Sequence, residues 1–180
     1  MTGNGDIGTR QDQAAERDLV ERARGGDRGA FADLYRLHYG SVFRLARFYL
    51  PSGAEDAAAE TFLRAWSSLP RYRFGGAPFS AWLYAIARHV VVDELRKAGR
   101  TETRAVLPET ARETAIDESL GLADAIARLS PSQRRVIEMK YLMGMTNPEV
   151  AALLKRSVGA VNALQWRALQ ALNEMLQEDE

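Results

Sequence analysis

Cysteine is absent from this chain, and histidine occurs only twice, at His38 and His89. Disulfide bracing and thiolate metal sites are therefore excluded, which suits a reducing cytoplasm. Two histidines without attendant carboxylates build no metal site, so no metal is expected. No apolar run approaches the roughly 20 residues that span a bilayer, so membrane insertion is not expected. The opening segment, MTGNGDIGTRQDQ, has no apolar core and is not expected to be a secretory signal. Strand-like alternation and internal repeats are missing throughout. No nucleophile–base pair or glycine-rich phosphate loop is visible, which argues against an enzyme and against a bound cofactor. An excess of either charge is missing too: 24 Lys and Arg balance 24 Asp and Glu. That neutrality counts against a free-standing nucleic-acid binder.

Helical periodicity is what the sequence does have. The 180 residues divide into two small all-helical domains joined by a flexible linker. Residues 1–13 are polar and Gly-rich and read as a disordered tail; 14–100 form the first domain, 101–118 the linker and 119–177 the second domain. In the first domain, Gly25-Gly26-Asp27 and Pro51-Ser52-Gly53 break successive helices. Pro78 opens a helix of about 20 residues that ends near Gly99, placements those residue types favour. In the second domain Ser130 with Gln133, and Thr146 with Glu149, have the spacing of reciprocal helix caps.

Charge is segregated within the neutral whole. Between Arg71 and Arg100 six basic residues face two acidic ones, whereas Thr101 to Asp124 is acidic. The basic stretch also carries aromatic rings: Arg71-Tyr72-Arg73-Phe74, then Trp82, Arg88, His89, Arg96 and Lys97. Rings interleaved with arginines suit single-stranded nucleic acid, because bases stack on rings while guanidinium groups follow phosphates. A core or edge position for Tyr72 and Trp82 explains them equally well. On the helix before this stretch, Asp56, Glu60 and Arg64 repeat every four residues, which fits either a solvated face with one ion pair or a docking surface.

Near the C-terminus two short helices meet at a tight turn, Lys155-Arg156-Ser157, in the layout of a helix-turn-helix. Val150, Ala151 and Leu154 share one face of the first; Val161, Leu164, Ala168, Leu172 and Met175 share one face of the second. The opposite face of the second carries Gly159, Asn162, Ala163 and Trp166, with Arg167 at its edge. Ser157 is placed to cap that helix and to meet a phosphate. An ordinary helical hairpin would show the same periodicity.

Taken together, the segments resemble the sigma factors of bacterial RNA polymerase, in particular the small extracytoplasmic-function group, from about Asp18 to Leu176. Ala54 to Trp66 is similar to the region-two helix that grips the polymerase clamp, which assigns docking to Asp56, Glu60, Leu63 and Arg64. Phe79 to His89 and Asp93 to Lys97 are similar to the helix that handles the −10 element. Leu129 to Arg134 resembles the start of region four, and Ser157 to Val161 with Arg167 to Leu169 its −35-reading helix. The resemblance assigns −35 contacts to Lys155, Arg156, Ser157, Gly159, Ala160, Asn162, Ala163, Trp166 and Arg167, and −10 contacts to the aromatic–basic residues above.

As partners the resemblance implies core RNA polymerase (the beta-prime clamp and the beta flap), promoter DNA and an anti-sigma protein. With no cysteine for redox sensing, and no C-terminal regulatory domain expected after the last helix, control is expected from that protein or from the level of synthesis. Departures from the family pattern fall at Ala59, His89, Asn162 and Leu164, where glutamine, asparagine and basic residues are usual. The competing readings are an autonomous helix-turn-helix regulator, which leaves the first domain idle, and a helical adaptor protein, which leaves Trp82 and Arg96 as plain surface.

Overall fold

A computed structural model describes residues 5–75, 78–97 and 117–178. Eight α-helices appear among them, and no strand. The first half contains α1 (Gly5–Arg24), α2 (Arg28–Tyr49), α3 (Ala54–Ser68), a 3-10 turn (Leu69–Arg71) and α4 (Phe79–Lys97). The second contains α5 (Asp117–Arg128), α6 (Pro131–Ile137), a π-turn (Glu138–Leu142), α7 (Asn147–Leu154) and α8 (Val158–Glu178). Most of the expected linker, 101–116, and the expected helix end at Gly99 lie outside the described residues.

Local chemistry sets the helix ends. Asp27 caps α2 by accepting from Ala30 N–H at 3.0 Å, and Arg22 Nη2 holds the same carboxylate at 2.7 Å, so the α1–α2 turn is pinned from both sides. Both expected capping boxes are formed, by Ser130 with Gln133 and by Thr146 with Glu149. At the end of α5 the Arg134 guanidinium collects the carbonyls of Ile126, Ala127 and Leu129, and the Ile126 carbonyl also accepts from Leu129 N–H at 3.2 Å. Pro78 sits one residue before α4, its carbonyl accepting from Ala81 and Trp82 N–H.

Two expectations shift. The first helix begins at Gly5, inside the segment whose composition reads as a tail. Beyond the glycines, Gln11, Gln13, Ala14, Ala15 and Glu16 are helix formers, and from Leu19 onward the helix is anchored by packing. On α4 the buried residues are Phe79, Ala81, Leu83, Tyr84, Ala87, Val90 and Val91, a wider set than the expected Phe79, Leu83, Ile86 and Val90. A second packing surface explains it, because α4 is covered both by its own domain and by the other half.

That coverage is the main architectural fact. One apolar core runs without a break from Val20, Leu34, Leu45, Phe62 and Leu83 into Val136, Met139, Met143, Val150 and Val161. A second cluster, built from α5, α6 and α8, takes Phe48 of α2 against it. The π-turn lies at the seam. Its wider register, with Met143 N–H donating to the Glu138 carbonyl five residues back at 3.0 Å, turns Glu138 inward until none of it is exposed.

Candidate nucleic-acid interface

The helix-turn-helix is built from α7 and α8. Lys155 adopts a left-handed conformation (φ 52°, ψ 46°) between them, and Arg156 N–H closes onto the Ala151 carbonyl at 3.0 Å. Ser157 Oγ then accepts from Ala160 N–H at 3.1 Å and caps α8. Val150, Ala151, Val161, Leu164, Ala168 and Leu172 are buried between the helices and the domain, which leaves Lys155, Arg156, Ser157, Gly159, Asn162, Ala163, Trp166 and Arg167 on the outside, with Ala160 half-buried. Trp166 is 59% exposed, high for an indole with no role at a surface. The outward face and the helix N-terminus together make an anion-attracting, groove-width ridge.

Part of this face is already ordered by hydrogen bonds that periodicity does not reveal. Asn147 Nδ2, at the start of α7, donates to Asn162 Oδ1 at 2.6 Å and to Gln165 Oε1 at 2.9 Å. Gln165 Nε2 in turn donates to the Tyr141 hydroxyl at 3.0 Å. Asn162 is thereby held with its oxygen inward and its amide N–H groups free to face outward. Arg167 Nε donates to the carbonyl of Ala163, which lays the guanidinium along the helix.

On α3, Asp56 is exposed and Leu63 is 65% exposed, beside a groove lined by Arg28, Phe31, Tyr35, Ala59, Phe62 and Trp66. Arg64 does not point away as a free cation. It binds Glu60 Oε1 at 2.7 Å and Asp93 Oδ2 at 2.9 Å, bridging α3 to α4. The pairing raises the arginine further and holds the Asp93 carboxyl below the ordinary carboxylate range.

The aromatic–basic set is arranged differently from its expected display. Tyr72 is only 6% exposed and lies in a ring cluster with Phe74, Phe79 and Trp82. Phe74 carries the Arg17 guanidinium over its face, 4.7 Å from the ring centre. Arg88 Nε lies 3.9 Å from Glu138 Oε2 of the other half. His89 lines a cavity shared with Arg135, Met139, Leu153 and Leu154. Arg71, Arg73, Arg96 and Lys97 remain exposed, with Lys97 bound to Glu94 at 2.8 Å and Arg96 4.0 Å from Asp93.

Four residues outside the expected set thus belong to this region: Arg17, Tyr49, Tyr84 and Glu138. Tyr49 and Tyr84 both donate their hydroxyl protons to the Glu138 carboxylate, Tyr84 at 2.6 Å. Burial first, and the Glu138 charge second, push both tyrosines far above their ordinary value.

A two-part helical protein with an exposed helix-turn-helix ridge and a basic, ring-rich first half is a nucleic-acid-binding protein by architecture. Comparison with known proteins makes the class specific. Residues 34–101 match the family described as Sigma-70 region 2, and residues 119–172 match Sigma-70, region 4. The chain is 34% identical over 181 residues to the ECF RNA polymerase sigma factor BldN of Streptomyces coelicolor, covering 93% of this chain and 68% of that one. It is 33% identical over 172 residues to the ECF RNA polymerase sigma factor SigD of Mycobacterium tuberculosis, covering 87% and 81%. Among solved structures, CnrH in complex with the cytosolic domain of CnrY superposes with a TM-score of 0.70 at 31% identity, over 92% of this chain and 99% of that one. The chain belongs to the extracytoplasmic-function group of the sigma-70 family, and its function is promoter-directed transcription initiation with RNA polymerase.

Proposed function

We propose that this subunit binds core RNA polymerase through α3 and the groove beside it, reads −35 duplex DNA with α8, and captures melted −10 bases with the first half. The exposed N-terminal ridge of α8, capped by Ser157 and bordered by Lys155 and Arg156, carries the reading. Asn162 is its base-reading residue; Lys155, Arg156 and Arg167 face phosphates. The exposed Leu63 beside Asp56 supports docking on the beta-prime clamp, and the beta flap is the partner assigned to the second half. The chemistry of nucleotide addition belongs to the polymerase, so this chain is not itself an enzyme and acts in the cytoplasm. The CnrH complex supports a further partner, an anti-sigma protein.

The second half, from Thr101 onward, has nine basic residues against twelve acidic ones and is repelled by DNA at long range. The free chain is therefore expected to bind promoter duplex poorly and to gain specificity only with core polymerase. A titration on matched and scrambled promoters, with and without core polymerase and at several salt concentrations, tests this. Asn162→Ala should change which −35 sequence is preferred, and Arg156→Ala should weaken all sequences alike. Tight, sequence-specific binding by the isolated chain at physiological salt would restore the autonomous-regulator reading.

A further inference from the structure

The reading face of α8 is tied into a chain of hydrogen bonds made only by uncharged side chains. Tyr141, on the π-turn, accepts at its hydroxyl from Gln165 Nε2 at 3.0 Å. Gln165 Oε1 accepts in turn from Asn147 Nδ2 at 2.9 Å, and the other proton of that nitrogen goes to Asn162 Oδ1 at 2.6 Å. The chain runs between two exposed residues, Tyr141 and Asn162, through two half-buried amides. It joins three separate pieces of backbone: the π-turn, the first residue of α7, and two neighbouring positions on one face of α8.

An amide offers donors at one end and an acceptor at the other, so such a chain has two polarities. One feature chooses between them. Asn147 Oδ1 is buried and has no hydrogen-bond partner. Turned round, Asn147 would bury two unpaired N–H donors there in place of one unpaired oxygen, the costlier arrangement. Its nitrogen is therefore held toward α8, and both protons of that nitrogen are used. Asn162 must answer with its oxygen, which leaves its own N–H groups for the groove. Gln165 must answer with its oxygen too, which sends its N–H group to Tyr141. The backbone under the chain is fixed as well, by the Thr146–Glu149 capping box beside Asn147 and by the Ser157 cap at the start of α8. Tyr141 lies outside the two helices of the reading motif and supplies a further anchor. Without its hydroxyl, Gln165 would be held at its oxygen alone and free to turn away from Asn147.

We propose that Tyr141 and Gln165 are positioning residues of −35 recognition: with Asn147 they hold the Asn162 amide in one orientation, donors toward the DNA, and so set which base edge α8 prefers. The proposal rests on the −35 reading above. Because the chain is uncharged, it acts on the choice among sequences. Attraction to phosphates, and with it the salt dependence, belongs to Lys155, Arg156 and Arg167.

The test uses holoenzyme assembled with core polymerase, and duplex promoters varied one position at a time across the −35 element. The readout is the ratio of affinities for the best base and the others at the position that Asn162→Ala flattens. Gln165→Leu, which removes the middle of the chain, should lower that ratio about fivefold, the low end of what one well-made base contact contributes. Tyr141→Phe should lower it less and leave the salt slope where it was. Gln165→Glu keeps one oxygen for Asn147 and another for the Tyr141 hydroxyl. Its added charge should weaken binding to all sequences alike and preserve most of the ratio. In an Asn162→Ala background, neither Gln165→Leu nor Tyr141→Phe should change preference further, because the residue they position is gone. An unchanged ratio in either single variant overturns the proposal. So do losses of equal size in the Asn162→Ala background, which would mark a packing role for both residues. Failure of the −35 reading itself shows separately, as an Asn162→Ala holoenzyme whose preference at every −35 position matches wild type.

Discussion

Asn147 sits on the shorter helix of the reading motif, yet its amide decides what Asn162 can offer to DNA. With the Asn162 oxygen occupied, the side chain presents N–H donors and suits an acceptor edge such as guanine O6 and N7 or thymine O4. Bidentate pairing to adenine would use the second lone pair of the same oxygen, with the bond from Asn147 fixing its direction. Asn147→Ala should therefore relax discrimination at the base facing Asn162 by about 1 kcal/mol, at the low end of what one base contact contributes. Phosphate-driven affinity should stay where it was. Competition between promoters that differ at single −35 positions, measured with holoenzyme, reads this directly. Equal discrimination by wild type and variant would reduce Asn147 to a packing role.

At the scale of elements, α3 shows how a docking face can be separated from the fold it sits on. Asp56 is exposed, and Glu60 shares Arg64 with Asp93. Reversing Asp56 and Glu60 to lysine removes one partly exposed ion pair, worth about 0–1 kcal/mol, while the bridge from Arg64 to α4 survives. Thermal unfolding should change by only a few degrees, and assembly with core polymerase should weaken strongly; full assembly by the double variant removes α3 from the interface.

The same element, and its neighbours, mark how far the sequence carries. Helix positions were legible because Asp27, Ser130, Thr146 and Ser157 announce starts and Pro51 announces a stop. The outward face of α8 was legible because its buried positions recur at helical spacing. The start of α1 at Gly5 was not, since its first residues are too polar and Gly-rich to signal a helix. Tyr72 was legible as an aromatic among arginines, with a core position and a single-strand role both open; the rings that bury it come partly from beyond the loop, so local pattern could not choose. Glu138 gave no sign at all. In a run of polar and apolar residues it reads as a solvated position; the π-turn that rotates it and the tyrosines that bind it lie outside local pattern.

For the whole molecule, the tyrosine–carboxylate cluster makes closure depend on pH. Tyr49 faces Glu138, Tyr84 and Arg134, and Tyr84 faces Glu138, Arg88 and Arg135. Both hydroxyls are raised in the closed form, so their contribution is complete below the ordinary tyrosine value of about 10 and is lost as pH climbs above it. Chain carrying spin labels at Arg36→Cys on α2 and Gln170→Cys on α8, both exposed positions, should hold one distance between its halves through neutrality and lengthen it on the alkaline side, with tyrosinate absorbance rising in step. The Tyr49→Phe/Tyr84→Phe variant should lack that transition; a wild-type distance that is flat to strongly alkaline pH contradicts it.

The continuous core also bears on how long a free subunit survives in the cell. When the halves part, Val136, Met139 and Met143 lose their cover. A protease that cuts only opened chains would then degrade the free subunit at a rate set by its open fraction. The Glu138 cluster would then act as a timer: every substitution that weakens its bonds to Tyr49 and Tyr84 shortens the lifetime of the free subunit.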